Sequence, residues 1–258
     1  MTQTVLITGA SGGIGYELAK QFASHRYDLV LVARREDELV QVKLELERQH
    51  GVSVTVFPMD LTQPASIEAL GEQLQKAAID VQMLVNNAGF GAYGPFADAD
   101  LKSQLGMIDL NIRTLTHLTR LLLPAMQQRG SGKILNVAST AAFQPGPLMA
   151  VYYATKAYVL SFTEALANEL QGQGITVTAL CPGPTRTSFG KRANFHHSLL
   201  FDKFGMDAPT VAKVGYDGLM ANKVVVIPGV MNWLFAQSSR FLPRKMVTNA
   251  VRKLQEQR

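Results

Sequence analysis

Short apolar runs alternate with helix-period segments along this chain of 258 residues. Several of the runs are continuous stretches of Val, Ile and Leu, as expected for strands that are covered on both faces. We predict strands at residues 4–8, 28–33, 52–57, 81–85, 133–138, 175–180 and 224–227. We predict helices at residues 14–24, 36–49, 64–77, 101–128, 151–171 and 209–221. This alternation favours right-handed β-α-β crossovers, and therefore an α/β fold with a doubly wound parallel sheet of about seven strands and helices on both faces.

No linker or low-complexity run interrupts the alternation, so we expect residues 1–258 to form one domain. Hydrophobic residues make up 47% of the chain, which is enough for a sizeable core. Two segments depart from the strand-helix pattern. Residues 184–208 have no clear period and are a candidate substrate lid, whereas residues 230–258 form a helix-like C-terminal extension.

Composition narrows the location and the partners of the protein. The single cysteine, Cys181, excludes an intrachain disulfide. The N-terminal residues lack the features of a secretory signal, and no stretch reaches the ~18 unbroken apolar residues of a membrane span, so we expect a cytoplasmic protein. The net charge of +5 comes from residues 240–258, where six basic residues outnumber one acid, Glu256. Because the rest of the chain is neutral, a nucleic-acid surface is not indicated.

A glycine-rich segment, Thr8-Gly9-Ala10-Ser11-Gly12-Gly13-Ile14-Gly15, joins the first predicted strand to an amphipathic helix. Glycine lets the backbone approach a ligand closely, and the helix N-terminus offers unpaired N–H groups and a positive dipole end to a pyrophosphate. A glycine cluster alone is often only a tight turn. Its position between a strand and a helix favours a dinucleotide site of the Rossmann type.

The end of the second strand selects between the two nicotinamide coenzymes. NAD-preferring enzymes usually place an acidic residue there, about 20 residues past the glycines. In this chain the position is Ala33, followed by Arg34 and Arg35. A guanidinium can pair with the 2′-phosphate of NADP, so we predict NADP(H) as the coenzyme. The alternative is that the two arginines only begin the next helix.

Three groups suited to proton transfer follow the fifth predicted strand: Ser139, Tyr152 and Lys156. Tyr152 and Lys156 are four residues apart, so on a helix they project from one face. A nearby ammonium favours the phenolate, which makes a tyrosine usable as a proton donor or acceptor near neutral pH. Taken alone, the same spacing also fits a half-buried tyrosine beside a solvated lysine.

Together, the motifs of residues 4–230 resemble those of the short-chain dehydrogenase/reductase family. The matching segments are Thr8 to Gly15, Asp60-Leu61, Asn86-Asn87-Ala88-Gly89, Asn111, Ser139 with Tyr152 and Lys156, and Pro182-Gly183-Pro184-Thr185-Arg186-Thr187. Each motif is permissive by itself, whereas all of them in the right order are specific. The C-terminal segment resembles one branch of the family, which holds ketoacyl- and hydroxysteroid-type reductases, some of them membrane-associated.

The resemblance implies an NADP(H)-dependent oxidoreductase that interconverts a carbonyl and a primary or secondary alcohol by hydride transfer. Tyr152 would be the general acid or base, and Lys156 would lower the pKa of Tyr152 and bind the nicotinamide ribose. Ser139 would orient the substrate oxygen, and Asn111 would hold a water between Lys156 and solvent. The implied coenzyme-binding residues are Gly9, Ser11, Gly12, Gly13, Ile14, Gly15, Arg34, Arg35, Asp60, Leu61, Asn87, Ala88, Gly89, Tyr152, Lys156, Pro182, Gly183, Thr185 and Thr187.

The sequence leaves the substrate open. Aromatic side chains in the candidate lid favour an apolar or aromatic carbonyl compound, with cations nearby for an anionic end; these residues are Phe189, Phe195, Phe201, Phe204, Arg186, Lys191 and Arg192. Adjacent histidines, His196 and His197, are more typical of a surface than of a metal site, so we predict no metal. We expect Tyr153 to line the pocket or to pack. The alternative function is an NADP-binding sensor without turnover, although such proteins usually lose the tyrosine or the lysine.

Partners are predicted from two regions. In the family, helices corresponding to residues 101–128 and 151–171 commonly pair between subunits, which implies a homodimer or homotetramer. The basic C-terminal extension also carries Trp233, Leu234, Phe235, Phe241 and Leu242. It can form an amphipathic surface for a membrane or a partner subunit, or it can fold over its own domain.

Overall fold

The computed structural model of the protein describes residues 3–192 and 205–256. A seven-stranded parallel sheet has the order β3-β2-β1-β4-β5-β6-β9. Its strands are β1 (Thr4–Thr8), β2 (Asp28–Ala33), β3 (Val54–Pro58), β4 (Met83–Asn86), β5 (Gly132–Val137), β6 (Ile175–Leu180) and β9 (Val225–Val226). Two short strands, β7 (Thr185–Arg186) and β8 (Met206–Asp207), pair in a separate ribbon. The predicted doubly wound sheet is confirmed.

Helices connect the strands in the order expected of crossovers. In the described residues they are α1 (Gly13–Ser24), α2 (Glu36–His50), α3 (Ala65–Lys76), α4 (Leu101–Ile108), α5 (Leu115–Arg129), α6 (Ala150–Glu169), α7 (Phe189–Arg192), α8 (Ala208–Met220), α9 (Val230–Ser238) and α10 (Arg244–Gln255). Short 3₁₀ turns cover Phe96–Asp98 and Thr140–Phe143, and a π-helical turn covers Asp109–Thr114.

Two apolar cores lie on opposite faces of the sheet. Successive side chains of a strand point to opposite faces, so Val5 and Ile7 of β1 enter one core and Leu6 enters the other. The first core packs against α1, α2 and α8, and the second against α3, α5 and α6. Burial on both faces explains why the strands read as continuous apolar runs rather than as alternating ones.

The structure corrects the predicted helices in two places. The single helix predicted at residues 101–128 is divided by the π-helical turn Asp109–Thr114 into α4 and α5. The helix-like C-terminal extension is two helices, α9 and α10, with Pro243 immediately before α10. Proline cannot donate a backbone hydrogen bond and disfavours helical backbone in the residue before it, so a helix tends to restart there. None of the helices within the described ranges has the length and apolar character needed to cross a bilayer.

Candidate active site

A cavity of about 940 Å³ lies at the carboxyl edge of the parallel sheet. Its wall is built from the segments that follow β1, β2, β4, β5 and β6, including Gly9, Arg34, Asn87, Ser139 and Pro182. The strand order reverses between β1 and β4, which is the position where doubly wound sheets open a crevice for a ligand. With the segment after β3, which contributes Asp60, the topology brings residues from six separate loops to one site.

The glycine segment after β1 leaves room at the N-terminus of α1. Gly12 precedes the helix and supplies no side-chain cap, and a Cβ built on Gly12 would meet no atom within 4 Å. Gly9 has a φ of +66°, and a Cβ there would lie 2.9 Å from Ala88 Cα. An open helix N-terminus with unpaired N–H groups, at the wall of the cavity, fits the pyrophosphate of a dinucleotide.

The segment after β4 is tied to the glycine segment by hydrogen bonds. Asn87 Nδ2 donates to the carbonyl oxygens of Thr8 and Gly9, at 2.9 and 3.2 Å. The backbone N–H groups of Asn87 and Ala88 both donate to Thr8 Oγ1 at 3.0 Å. These bonds hold the two loops at a fixed separation on either side of the switch point.

The placement of Gly15 differs from the prediction. A Cβ on Gly15 would lie 2.4 Å from both Gly9 O and Asn87 Nδ2, so this glycine lets α1 pack against the loop. It does not line the cavity, unlike the other glycines of the segment that were predicted to bind the coenzyme. The last glycine of the glycine-rich segment is therefore needed for close packing of the helix against the strand, and not for contact with a ligand.

The arginines after β2 are exposed at the cavity wall, as predicted. Arg35 donates to Ser11 Oγ at 3.4 Å and forms an ion pair with Glu38, so its guanidinium is already engaged within the protein. On the same wall, Asp60 accepts hydrogen bonds from Thr62 through one carboxylate oxygen, at 2.9 and 3.1 Å. Arg34 is therefore the better placed of the two arginines to receive a 2′-phosphate.

Ser139 and Tyr152 meet at the cavity wall. Ser139 follows β5, and its Oγ donates to Pro182 O at 3.3 Å and accepts from Ala141 N at 3.1 Å. Its hydroxyl also lies beside the phenol of Tyr152, in the first turn of α6. Burial raises the pKa of Tyr152 above its ordinary value, while the hydrogen bond from Ser139 lowers it. The phenol is thus held in its protonated form beside a second hydroxyl.

Lys156 lies one turn further along α6 and is only 6% exposed. Its Nζ donates to Val137 O at 2.7 Å and lies 5.8 Å from the centre of the Tyr152 ring. Burial lowers the pKa of Lys156 to about 8. The predicted lowering of the Tyr152 pKa by Lys156 is not seen. Burial raises this pKa, and the contact that lowers it comes from Ser139.

Asn111 lies behind the cavity wall, in the π-helical turn. Its amide donates to Phe90 O and Thr155 Oγ1, each at 3.0 Å, and accepts from Phe90 N at 3.2 Å. Gly89 separates it from Lys156: a Cβ on Gly89 would lie 3.0 Å from Asn111 Oδ1 and 3.6 Å from Lys156 Nζ. A larger residue at position 89 would therefore press on the Asn111 side chain. The turn that breaks the predicted helix is the one that carries Asn111 into this contact.

The C-terminal helix forms part of the same cavity, which the sequence did not predict. Gln255 is 2% exposed. Its side-chain amide donates to the Tyr153 hydroxyl, and its backbone carbonyl oxygen accepts from Tyr93 Oη at 2.9 Å. Val247, Val251 and Gln255 form the buried face of α10, which shows that the extension folds over its own domain along this face. The cavity is also lined by residues that were not predicted to lie at the site, including Phe90, Gly91, Gln144, Met149, Phe235, Leu242, Ala250 and Leu254. The only sequence signal was the four-residue spacing of Val247, Val251 and Gln255.

Part of the predicted substrate lid cannot be compared with the structure. Phe195, His196, His197, Phe201 and Phe204 lie outside the described residues, as do the side chains of Lys191 and Arg192. Phe189 does lie at the cavity wall, with its ring 5.5 Å from that of Tyr152. Across the part of the chain that the structure describes, no three or more His, Cys, Asp or Glu side chains are grouped to hold a metal.

Comparison with known proteins agrees with the fold and with the predicted family. Residues 3–197 match the family model for short chain dehydrogenases. Ketoacyl reductase HetN from Nostoc sp. is 35% identical over 181 residues, which cover 70% of this chain and 63% of HetN. The very-long-chain 3-oxoacyl-CoA reductase of Anas platyrhynchos is 32% identical over 258 residues, covering 98% of this chain and 80% of that protein. A short-chain dehydrogenase from Sphingobium yanoikuyae, solved in complex with NADPH, is 35% identical with a TM-score of 0.84, over 93% of this chain and 94% of that chain.

Proposed function

We propose that this chain, which belongs to the short-chain dehydrogenase family, is an NADP(H)-dependent oxidoreductase that interconverts a carbonyl and a primary or secondary alcohol. One observation carries the proposal. Ser139, Tyr152 and Lys156 lie on the wall of a single cavity, and the open N-terminus of α1 lies on the same wall. A proton donor and a dinucleotide cradle therefore face one space, as hydride transfer to a carbonyl requires.

The residues around the cavity fit a nicotinamide dinucleotide. Gly9, Gly12 and Gly13 would hold the pyrophosphate, and Arg34 the 2′-phosphate. Ala88, Gly89 and Lys156 would border the nicotinamide ribose, and the segment from Pro182 to Thr187 would hold the carboxamide. Bound there, the nicotinamide supplies or accepts the hydride.

Tyr152 moves the proton in this proposal. In reduction, its phenol donates a proton to the substrate oxygen, and the raised pKa keeps that proton in place until it is needed. The Ser139 hydroxyl positions the substrate oxygen and stabilises the phenolate that remains, since its hydrogen bond favours the ionised form. Lys156 supplies a nearby cation in a dry environment, where charge acts over a longer range than in water.

The lining of the cavity supports an apolar substrate. Beyond Tyr152, the described wall includes the apolar side chains of Phe189, Met149, Leu242 and Val251, with a few polar side chains such as Gln144 among them. Apolar and aromatic walls with a few polar groups at one end are typical of pockets that bind an apolar body and orient one reactive group. We propose an apolar or aromatic ketone, aldehyde or the corresponding alcohol as the substrate class.

Coenzyme-dependent turnover tests this proposal. The purified protein should oxidise NADPH in the presence of at least one apolar ketone or aldehyde, and should use NADH poorly. Arg34→Asp should raise KM for NADPH by about tenfold or more and leave KM for NADH nearly unchanged, because only NADPH carries the phosphate that the new carboxylate repels.

Arg48→Asp, at an exposed position in the last turn of α2, is the matched control and should not change the preference. Equal use of the two coenzymes by the wild-type protein would contradict the NADP assignment. Tight NADPH binding without turnover of any carbonyl compound would instead support the sensor alternative.

A further inference from the structure

Helix α9 has its polar and apolar faces reversed. Asn232 and Ala236 point into the protein, with exposures of 8% and 1%. The opposite side carries Val230 and Leu234, which are 75% and 47% exposed. A surface helix normally turns its polar residues to solvent and its apolar stripe to the core. This helix does the opposite, so its outer face is suited to a surface that is not water.

The exposed apolar side chains of the protein are concentrated around this helix. Nine of the sixteen large exposed hydrophobic side chains in the described residues lie between positions 230 and 254, so they are not scattered singly. We call the following residues the apolar patch: Val230, Met231, Trp233, Leu234, Phe241 and Met246. Phe241 is the most exposed of them, at 83%. Contiguous patches of this kind mark sites of contact with a protein or a membrane.

The charges beside the apolar patch favour an anionic partner. Four exposed cations, Arg240, Arg244, Lys245 and Lys253, have no acid among residues 230–256 except Glu256, which already pairs with Arg252 at 2.8 Å. The buried face of α10 leaves Lys245 and Lys253 on its outer side. A second copy of the chain would present the same cations across a two-fold interface, and like charges would repel. An anionic lipid surface complements both the cations and the apolar residues.

The cavity opens beside the apolar patch. Phe235, Leu242 and Leu254 line the cavity and are also about half exposed, so each of them faces both the cavity and the surface. A surface that covered the patch would thus face the cavity mouth.

We propose that α9 and α10 dock on an anionic lipid surface, with the apolar patch at the level of the acyl chains, the cations at the headgroups and the cavity mouth facing the bilayer. Docking is independent of the proposed function. The further step, in which an apolar substrate enters the cavity from the lipid, rests on that function.

Trp233 provides a direct probe, because it is the only tryptophan in the chain and is 50% exposed within the apolar patch. The full chain is mixed with vesicles of phosphatidylcholine alone or of phosphatidylcholine and phosphatidylglycerol in equal parts. The anionic vesicles should shift the Trp233 emission to shorter wavelength and pellet the protein, and salt should weaken both effects. Leu234→Ser, and the pair Lys245→Glu with Lys253→Glu, should each weaken binding by about tenfold.

Leu44→Ser is the matched control, since Leu44 is 54% exposed on α2, outside the apolar patch, and should leave binding unchanged. The proposal is wrong if the emission does not shift with anionic vesicles, or if Leu234→Ser binds as well as the wild-type protein. A lower mass of Leu234→Ser in light scattering, with unchanged lipid binding, would assign the patch to contact between copies instead.

Activity separates this proposal from the proposed function. A water-soluble ketone should be reduced at equal rates by the wild-type protein and by Leu234→Ser. If neither protein reduces any ketone, the proposed function is wrong, and the docking proposal is unaffected. A long-chain ketone dissolved in the anionic vesicles should be reduced several-fold faster by the wild-type protein. If the wild-type protein and Leu234→Ser reduce that substrate at equal rates, the substrate does not enter the cavity from the lipid.

Discussion

Tyr152 is partly buried and Lys156 is buried, and the burial of their ionisable groups shifts the pKa of each in the direction that favours the neutral form. Ionisable groups are rarely buried next to each other without a task, because desolvation destabilises the fold. Here the two groups share one helix face and reach the same cavity wall as Ser139. Lys156 is therefore not a solvated lysine, and this arrangement supports the proton transfer that we propose for Tyr152.

Ser139→Ala should change the pH dependence of alcohol oxidation. Oxidation requires the phenolate of Tyr152, so the rate should rise with pH; without the hydrogen bond that lowers the pKa of Tyr152, the rising limb should move to higher pH. Carbonyl reduction uses the protonated phenol, so its rate falls with pH through the same pKa, and this fall should also move to higher pH. The measurement is kcat against pH in both directions, with Ser131→Ala at an exposed position as the control. If the oxidation rate of Ser139→Ala rises over the same pH range as that of the wild-type protein, Ser139 does not affect the pKa of Tyr152.

At the scale of elements, strand and helix positions were predictable because each is set by local pattern. The strands β1, β2 and β6 have the predicted ends, and the other strands of the seven-stranded sheet differ by one or two residues, whereas the short strands β7 and β8 were not predicted. The π-helical turn was not predictable, because Asn111 makes its backbone contacts with Phe90, which is 21 residues away. Nothing in the local sequence of a helix shows where a distant loop will capture one of its side chains.

The role of α10 was hidden for the same reason. Gln255 and Tyr153 are 102 residues apart, and the apolar spacing of α10 alone fits any helix packed on a surface. In the structure this contact joins the C-terminal helix to α6, the helix that carries Tyr152 and Lys156. The extension is therefore part of the cavity wall and not an appendage.

Gln255→Ala should loosen α10 and change substrate selection. The loss of its side-chain contact with Tyr153 removes one wall contact, so KM for bulky apolar ketones should rise several-fold while kcat for small ketones changes little. Amide hydrogen exchange in α10 should be faster. Gln75→Ala, at an exposed position on α3, is the control. If KM for large and small substrates rises equally, Gln255 has no specific role in the substrate end of the cavity.

At the scale of the whole molecule, the sequence could predict the site because parallel strands place their carboxyl ends on one edge. Six loops distant in sequence, including those of Gly9 and Ser139, meet there once the strand order is known. What closes the substrate end could not be predicted, because it depends on how α9 and α10 fold back across the sheet edge. The sequence therefore predicts a reaction class but not a substrate.

We propose that the protein is a homo-oligomer assembled through α4, α5 and α6, the helices of the predicted segments 101–128 and 151–171. Leu101, Leu105 and Ile108 form one exposed apolar stripe on α4, with exposures of 65%, 51% and 39%. Leu105→Glu should lower the mass in light scattering to that of a monomer, because a charge in an apolar interface is costly to bury. Leu44→Glu, on the exposed side of α2, should not. A wild-type protein that is already a monomer would contradict the proposal.

The most direct test of the account is the rate of carbonyl reduction by Tyr152→Phe. This change removes only the hydroxyl, so the ring contact with Phe189 and the rest of the cavity remain. NADPH affinity, measured by fluorescence titration, should stay close to that of the wild-type protein, while the single-turnover rate falls by about a thousandfold. A variant that binds NADPH normally and reduces ketones at the wild-type rate would show that Tyr152 is not the proton donor.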